Sequence, residues 1–350
     1  MLQRIFVLTT RGLEAVSAAE ISAVPYVTVE NIAYRRVTAS CTGLLAPLLN
    51  SRTVDDIFLD LAAWSRIGPH RRTLAQFHDL GRQLDLRDGA VACAQLRAIA
   101  ISPSFSVTAS FIGKRNYNSA EIKQALAAAI TATHNWQYEQ DDALADLNIR
   151  VFIEHETAFV GLRLGKAPLH ERQYKVVHHA GSLKPTIAAA MLRLVGTARG
   201  QQLLDPCFGA GTILAEAGKL GAIVRGGDID RAAIVAARRN TKAAGIEAQI
   251  SKWDVRALPF SDSSIDRIVS NLPWGRQVII DAHKKSFYRE ACAEMRRVLA
   301  PEGRIAILTN DRQLVRFEDL CQENQIEISL FGQTPTIMIF ATERGIKRPG

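Results

Sequence analysis

From residue 202 onward the chain alternates short apolar runs with helical stretches, and that rhythm admits few architectures. Gln202-Leu203-Leu204 leads into Asp205-Pro206-Cys207-Phe208-Gly209-Ala210-Gly211-Thr212, and an apolar helix is expected over 213–220. A strand over 222–228, an Arg-rich helix over 231–244 and a strand over 248–251 continue the pattern. Residues 265–270, a helix over 287–299 and a strand over 303–309 repeat it. Strand–helix alternation of this kind builds an α/β, doubly wound parallel sheet with helices on both faces. The last two strand candidates, 326–330 and 336–342, are separated by a Gly-containing turn too short for a crossover helix, so they are expected to pair antiparallel.

The first half follows a different grammar. Residues 1–60 read as strand, helix (12–21), further strands and a helix (43–49), while 61–165 hold a strand at 106–111, a helix at 119–133 and a hairpin of 147–154 with 158–164. Two small α+β domains, 1–60 and 61–165, are therefore expected. A linker at 166–180, rich in basic residues and His, would lead to the α/β domain at 181–350.

Composition excludes several classes. With 350 residues and 47% hydrophobic content the chain can bury more than one core. Its longest apolar runs, such as Ile305 to Leu308, fall far short of the roughly 20 residues of a membrane span, and the first residues lack a basic n-region leading into a long apolar stretch. Five cysteines without a CxxC pair argue against zinc and against a disulfide framework. The expectation is a cytoplasmic protein with no metal and no membrane partner. The formal charge of +8 suits a polyanionic partner. It divides as 19 basic and 17 acidic residues through Lys175, then 24 and 18, so any nucleic-acid surface must come from local clusters. Arg66, His70, Arg71 and Arg72 form one candidate; Lys114, Arg115 and Lys123 form another. Contacts from these to phosphates would position an RNA without reading its sequence.

The chemistry concentrates where strands end. Gly209 and Gly211 permit a tight turn and close approach of a ligand to the backbone. Asp228 closes the next strand, where a carboxylate can take both hydroxyls of a ribose. A nicotinamide dinucleotide would fit the spacing, but the loop lacks the third glycine of GxGxxG and opens with an acid that repels a pyrophosphate. S-adenosyl-L-methionine, with an amino group and no phosphates, suits that acid. Asp254, after the third strand, can accept an adenine amine while the backbone beside it reads the ring edge. Asn271-Leu272-Pro273-Trp274 follows the fourth strand, at the edge where open α/β sheets bind ligands. The Asn271 side-chain oxygen and the Leu272 carbonyl can clamp an exocyclic amine, Pro273 restricts the loop, and Trp274 can stack a base taken out of its helix. Cys207 reads as small filler, with no base beside it to make it a nucleophile.

Residues 170–350 resemble a class I S-adenosylmethionine-dependent methyltransferase, with Asp205 to Thr212 similar to its cofactor loop. Asn271 to Trp274 is similar to the (Asp/Asn)-Pro-Pro-(Tyr/Phe/Trp) motif of amino-methylating enzymes, departing from it at Leu272. Phe6 to Glu14 and Lys114 to Ile122 resemble THUMP-containing RNA methyltransferases, whose N-terminal ferredoxin-like domain precedes a THUMP domain. His170 to Tyr174 and Ser182 to Thr186 resemble their linker and first catalytic-domain helix. The resemblance implies a cofactor site of Thr186, Asp205, Pro206, Phe208, Gly209, Gly211, Thr212, Asp228, Ile229, Asp254, Val255 and Asn271, and a catalytic loop of Asn271 to Trp274. The domain order is most similar to the tRNA guanine-N2 methyltransferases acting at position 6 of the acceptor stem. It implies a tRNA partner whose 3′ CCA end is docked by the THUMP domain; a monomer is expected, though the sequence alone does not give the oligomeric state. Guanine 10 of tRNA, a ribosomal guanine, an adenine N6, and an inactive RNA-binding protein remain alternatives.

Overall fold

The computed structural model describes residues 2–179, 181–273, 284–330 and 332–343. The chain separates into two compact units, one of Met1–Thr9 with Ala18–Leu169, the other of Thr10–Ser17 with His170–Gly350.

The elements up to residue 169 are β1 (Gln3–Leu8), α1 (Glu14–Ile21), β2 (Val27–Ala33), β3 (Arg36–Cys41), β4 (Asp56–Trp64), α2 (Thr73–Gly81), α3 (Arg87–Ala94), β5 (Phe105–Phe111), α4 (Ser119–His134), β6 (Leu147–Glu154) and β7 (Thr157–Arg163). The strands form one seven-stranded sheet in the order β2-β3-β1-β4-β7-β6-β5. Only the β5–β6 pair is parallel. The expected border between residues 60 and 61 falls inside β4, because that strand pairs with β1 through Leu59 and Ile5 and with β7 through Leu59 and Leu162. The two expected small domains thus share a sheet, with Ile5, Ile57, Leu59 and Leu162 in a common core. Where a helix is expected over 43–49 there is a single 3-10 turn, Ala46–Asn50. The helix α4 starts where Asn118 and Glu121 form a reciprocal capping box, and it stops at Asn135 in the left-handed region.

The second unit contains α5 (Pro185–Leu194), β8 (Gln202–Asp205), α6 (Thr212–Lys219), β9 (Ile223–Asp228), α7 (Arg231–Ala243), β10 (Ala248–Lys252), β11 (Ile265–Asn271), α8 (Lys284–Val298), β12 (Leu299–Thr309), β13 (Cys321–Glu327) and β14 (Thr336–Ala341). Its sheet runs β10-β9-β8-β11-β12-β14-β13. β8 to β12 are parallel, and β14 is antiparallel to both β12 and β13. The expected doubly wound sheet with an antiparallel end is therefore present. The penultimate strand lies earlier than expected, since the polar run Cys321–Glu327 takes the sheet edge. The order of strands reverses at β8, which lies between β9 and β11, and such a switch point opens a crevice at the carboxyl ends.

Residues 10–17 supply part of this unit's interior: Leu13 and Val16 pack into a core with Ile187, Leu214 and Ile328. Gly12 adopts φ +94°, and a Cβ there would lie 2.1 Å from the Glu327 carbonyl oxygen. The Ser329 amide donates to the Arg11 carbonyl at 3.2 Å beside it.

Candidate active site

The ends of β8, β9 and β11, together with the loop after β10, surround a cavity of about 280 Å³. Asp205, Pro206, Phe208, Gly209 and Thr212 line it from the first loop, Asp228 and Ile229 from the second, Asp254 and Val255 from the third, and Asn271, Leu272 and Pro273 from the fourth. Most of the residues expected to hold the cofactor are thus brought to one cavity. Two are not on its wall. Thr186 is buried in the first turn of α5. Gly211 is the N-cap of α6, at φ +76°, where a Cβ would come within 2.9 Å of Ala237; its role is to let α6 and α7 approach. Trp274 lies outside the described residues.

Ser182 and Leu183, from the segment that resembles the first catalytic-domain helix, form with Gly181 a strap along the cavity. The structure adds residues that sequence patterns did not single out: Trp253, Phe287, Leu330 and Gln333 complete the wall. Trp253 leans over β9 so closely that a Cβ on Gly227 would fall 1.7 Å from its ring. A glycine inside a strand followed by an aromatic after the next strand is the only sequence trace of that packing.

Backbone amides hold the acids in place. Asp228 accepts from the Gly209 amide at 2.9 Å through one oxygen and from the Asp230 amide at 3.0 Å through the other. Each oxygen retains capacity for a further donor. Asp205 is buried and accepts through Oδ1 from the Ser270 hydroxyl at 3.0 Å and the Cys207 amide at 3.2 Å. Burial pushes its carboxyl up to about 7, with the nearby Asp228 charge adding to the rise. Asp254 is chelated by Arg256, whose guanidinium and amide hold its carboxyl below the usual range. Burial drives the Cys207 thiol well up, which suits filler better than a nucleophile. His179 lies 2.9 Å from Asp230 across the mouth of the cavity.

Asn271 ends β11 opposite Leu308 of β12 and donates through Nδ2 to the Gly181 carbonyl at 3.3 Å. With the amide's donor end on the strap, its oxygen is the end turned the other way. The Leu272 amide donates to the Leu308 carbonyl at 3.2 Å. A proline at 272 would have no such proton to give, so this chain replaces the stiffness of a ring by one more rung of sheet.

The two basic clusters expected on the first unit lie together. The Arg115 guanidinium donates to the carbonyls of Ile67 and Gly68 at 2.9 and 3.2 Å, to the Tyr117 hydroxyl at 2.8 Å and to the His155 carbonyl. The Asn116 amide donates to the Pro69 carbonyl at 2.8 Å, and Arg71 pairs with Glu121. Arg115 therefore joins loop 66–72 to loop 112–118. Arg66, His70, Arg71, Arg72 and Lys114 are exposed, whereas Lys123 is half-buried on α4.

A family model described as RMKL-like, methyltransferase domain matches residues 172–330. That stretch, which holds α5 to β13, is similar in sequence to such a domain. The chain is also similar to a tRNA (guanine(6)-N2)-methyltransferase of Thermus thermophilus, 32% identical over 210 residues, or 59% of this chain and 62% of that one. A human U6 snRNA (guanine-N(2))-methyltransferase, THUMPD2, is also 32% identical, over 61% of this chain and 41% of its own. The matched regions thus span less than two thirds of either relative. Over nearly the whole chain the likeness is one of fold: the crystal structure of TrmN from Thermus thermophilus superposes with a TM-score of 0.78 at 24% identity, covering 97% of this chain and 99% of that chain. No helix among the described residues is long and apolar enough to cross a membrane.

Proposed function

We propose that the chain transfers a methyl group from S-adenosyl-L-methionine to the exocyclic N2 of a guanosine in RNA, with G6 of the tRNA acceptor stem as the substrate and the 3′ CCA end held by the THUMP half. The observation that carries this reading is one cavity on which Asp205, Asp228, Asn271 and Leu272 all open.

Four atoms of residues on the cavity wall support the cofactor. Asp205 Oδ2, Thr212 Oγ1, Ser182 Oγ and Trp253 Nε1 are buried without a hydrogen-bond partner among the described residues. Buried polar atoms rarely stay unpaired. A ligand with an ammonium, a carboxylate and a heterocycle can satisfy an acid, two hydroxyls and an indole N–H, whereas a pyrophosphate would be repelled by Asp205, Asp228 and Asp254 together. In this reading Asp205 takes the ammonium, Asp228 the ribose hydroxyls, and the Asp254–Val255 turn the adenine edge. S-adenosyl-L-methionine, when bound, supplies an electrophilic sulfonium methyl.

The chain then has to orient an amine. The Asn271 oxygen and the Leu272 carbonyl accept its two N–H groups, which leaves the nitrogen lone pair directed at the methyl rather than into the purine ring. Trp274, next in sequence, supplies the stacking face, and Phe287 lines the same cavity. The exposed cations Arg66, His70, Arg71, Arg72 and Lys114 contact phosphates, with Lys123 at the edge of that surface. Arg115 shapes it from within.

Guanine is favoured over adenine because the relatives are named for guanine N2, among them a tRNA (guanine(10)-N2)-dimethyltransferase of Methanothermobacter thermautotrophicus, 31% identical over 164 residues. Their differing RNAs make position 10 of tRNA, or a small nuclear RNA, the second reading. The test is transfer of labelled methyl to a tRNA transcript with guanine at position 6, beside transcripts altered at position 6 or lacking CCA. Loss of label in both altered transcripts is expected. Label that survives the change at position 6 would move the target elsewhere, and label that survives loss of CCA would remove the docking role.

A further inference from the structure

We propose that Tyr288 is a positioning residue of the transfer loop, its buried hydroxyl pinning the Pro273 carbonyl to the end of β12 and thereby fixing the direction of the Leu272 carbonyl. The inference rests on the methyl-transfer reading above for its consequence, though not for its geometry.

Tyr288 lies on α8 and is fully buried. Its hydroxyl donates to the Pro273 carbonyl at 3.2 Å and lies 2.7 Å from Thr309 Oγ1, itself buried at the last position of β12. The direction of the chain of bonds is set from its far end. The Asp311 amide, which can only donate, gives its proton to Thr309 Oγ1 at 3.0 Å. The Thr309 proton then goes to the tyrosine oxygen, and the tyrosine proton goes to Pro273. In this order each hydroxyl donates once and each is satisfied. Burial also pushes the phenol well above its ordinary range, with the Asp311 charge adding to the rise, so it remains a donor throughout the working range of pH.

The geometry matters because of what it brackets. On one side of the Leu272 carbonyl, the Leu272 amide is bonded to Leu308 of β12 at 3.2 Å. On the other, the Pro273 carbonyl is bonded through Tyr288 to Thr309, the next residue of the same strand. The peptide between these two anchors carries the carbonyl that would clamp the amine. A loop with leucine in place of the motif's first proline has lost a ring constraint, and the two anchors restore it.

The test is Tyr288→Phe, which keeps the ring that fills the core and removes the hydroxyl. On the best methyl acceptor, kcat is expected to fall about tenfold, equivalent to about 1.4 kcal/mol of transition-state stabilisation. The cofactor Kd and the KM for RNA should stay within about twofold. Thr309→Val should give a similar loss, Thr309→Ser should restore most of it, and the double variant Tyr288→Phe/Thr309→Val should be no worse than Tyr288→Phe alone, as for residues acting through one relay. Hydrogen exchange gives a readout that needs no RNA: the Leu272 amide should exchange faster in Tyr288→Phe, with the amides of β8 and β9 unchanged. Unchanged exchange at Leu272, unchanged kcat, or a fall in kcat matched by an equal loss of cofactor affinity would each overturn the proposal. A wild-type protein that methylates no RNA would instead refute the function proposed above, and the exchange measurement alone would then judge the pin.

Discussion

Replacing Asp205 by Asn should separate stability from binding, because both partners of Oδ1 are donors. The Ser270 hydroxyl and the Cys207 amide can bond an amide oxygen as well as a carboxylate, and the new NH₂ would take the place of Oδ2, which has no partner. The rise of the Asp205 carboxyl from 3.8 to about 7 corresponds to about 4 kcal/mol. The sign follows from linkage. A carboxyl raised by folding is fully compatible with the native state below about pH 4, and its ionisation progressively destabilises that state as pH rises from there to about 7. Asp205→Asn should therefore be more resistant to urea than the wild type at pH 8, by up to about 4 kcal/mol, with the advantage shrinking steadily toward pH 4. Cofactor binding should move the other way. An ammonium needs the ionised acid, so wild-type affinity should rise about tenfold per pH unit between pH 5 and pH 7, a range in which an α-amino group stays charged. The Asn variant should bind weakly and without that slope. Urea denaturation at four pH values and calorimetric titration with S-adenosyl-L-methionine check both halves. A variant less stable than wild type at pH 8, or a wild-type affinity that is flat from pH 5 to 7, would refute the assignment of Asp205 as the buried partner of a cation.

Asn271→Ala should cut turnover by about a hundredfold or more, the scale of removing one preorganised charge-stabilising group, while cofactor affinity measured by calorimetry largely persists. Asp228→Ala should weaken S-adenosyl-L-methionine by at least about tenfold, since charge-assisted hydrogen bonds contribute about 1.5–3 kcal/mol each; equal affinity would remove Asp228 from the site. Gly227→Ala places a Cβ 1.7 Å from Trp253, so thermal denaturation should show a loss of about 1–3 kcal/mol and the cofactor should bind more weakly. Lys114→Ala should lower the salt slope of RNA binding by about one at unchanged melting temperature, whereas Arg115→Ala should destabilise the first unit by about 1–3 kcal/mol as the Ile67 and His155 carbonyls lose their donor, Gly68 keeping those of Tyr117 and Thr73.

The second unit was more legible than the first for a physical reason. Its central strands are largely buried on both faces, and β8, β9 and β11 end in chemically distinctive residues, so both the rhythm and the carboxyl ends can be read from sequence. Asp205, Asp228, Asp254 and Asn271 all reach the cavity on which they were expected. The helices α2 and α3 escaped because each is short and carries a glycine, Gly81 and Gly89, packed against Leu126 and Leu162 respectively; tertiary contact rather than propensity makes them helical. β13 escaped because an edge strand with alternating Gln, Glu and Asn has no apolar period. Trp253 and Tyr288 carry no local signature either, since an unpaired indole N–H or a hydroxyl under a carbonyl is defined only once distant segments meet. The same holds for Arg115, which is indistinguishable in sequence from its neighbour Lys114 and yet is spent on the fold.

The placement of residues 10–17 sets a limit on how this molecule can be taken apart. Leu13 and Val16 are interior residues of the second unit, and Gly12 fits a space beside Glu327 too tight for any side chain. A fragment beginning at His170 would contain every strand of that unit and still open a hole in its centre. A single cut in the chain therefore cannot separate that unit whole. Grafting that unit onto another protein would require carrying the octapeptide Thr10–Ser17 along with residues 170–350.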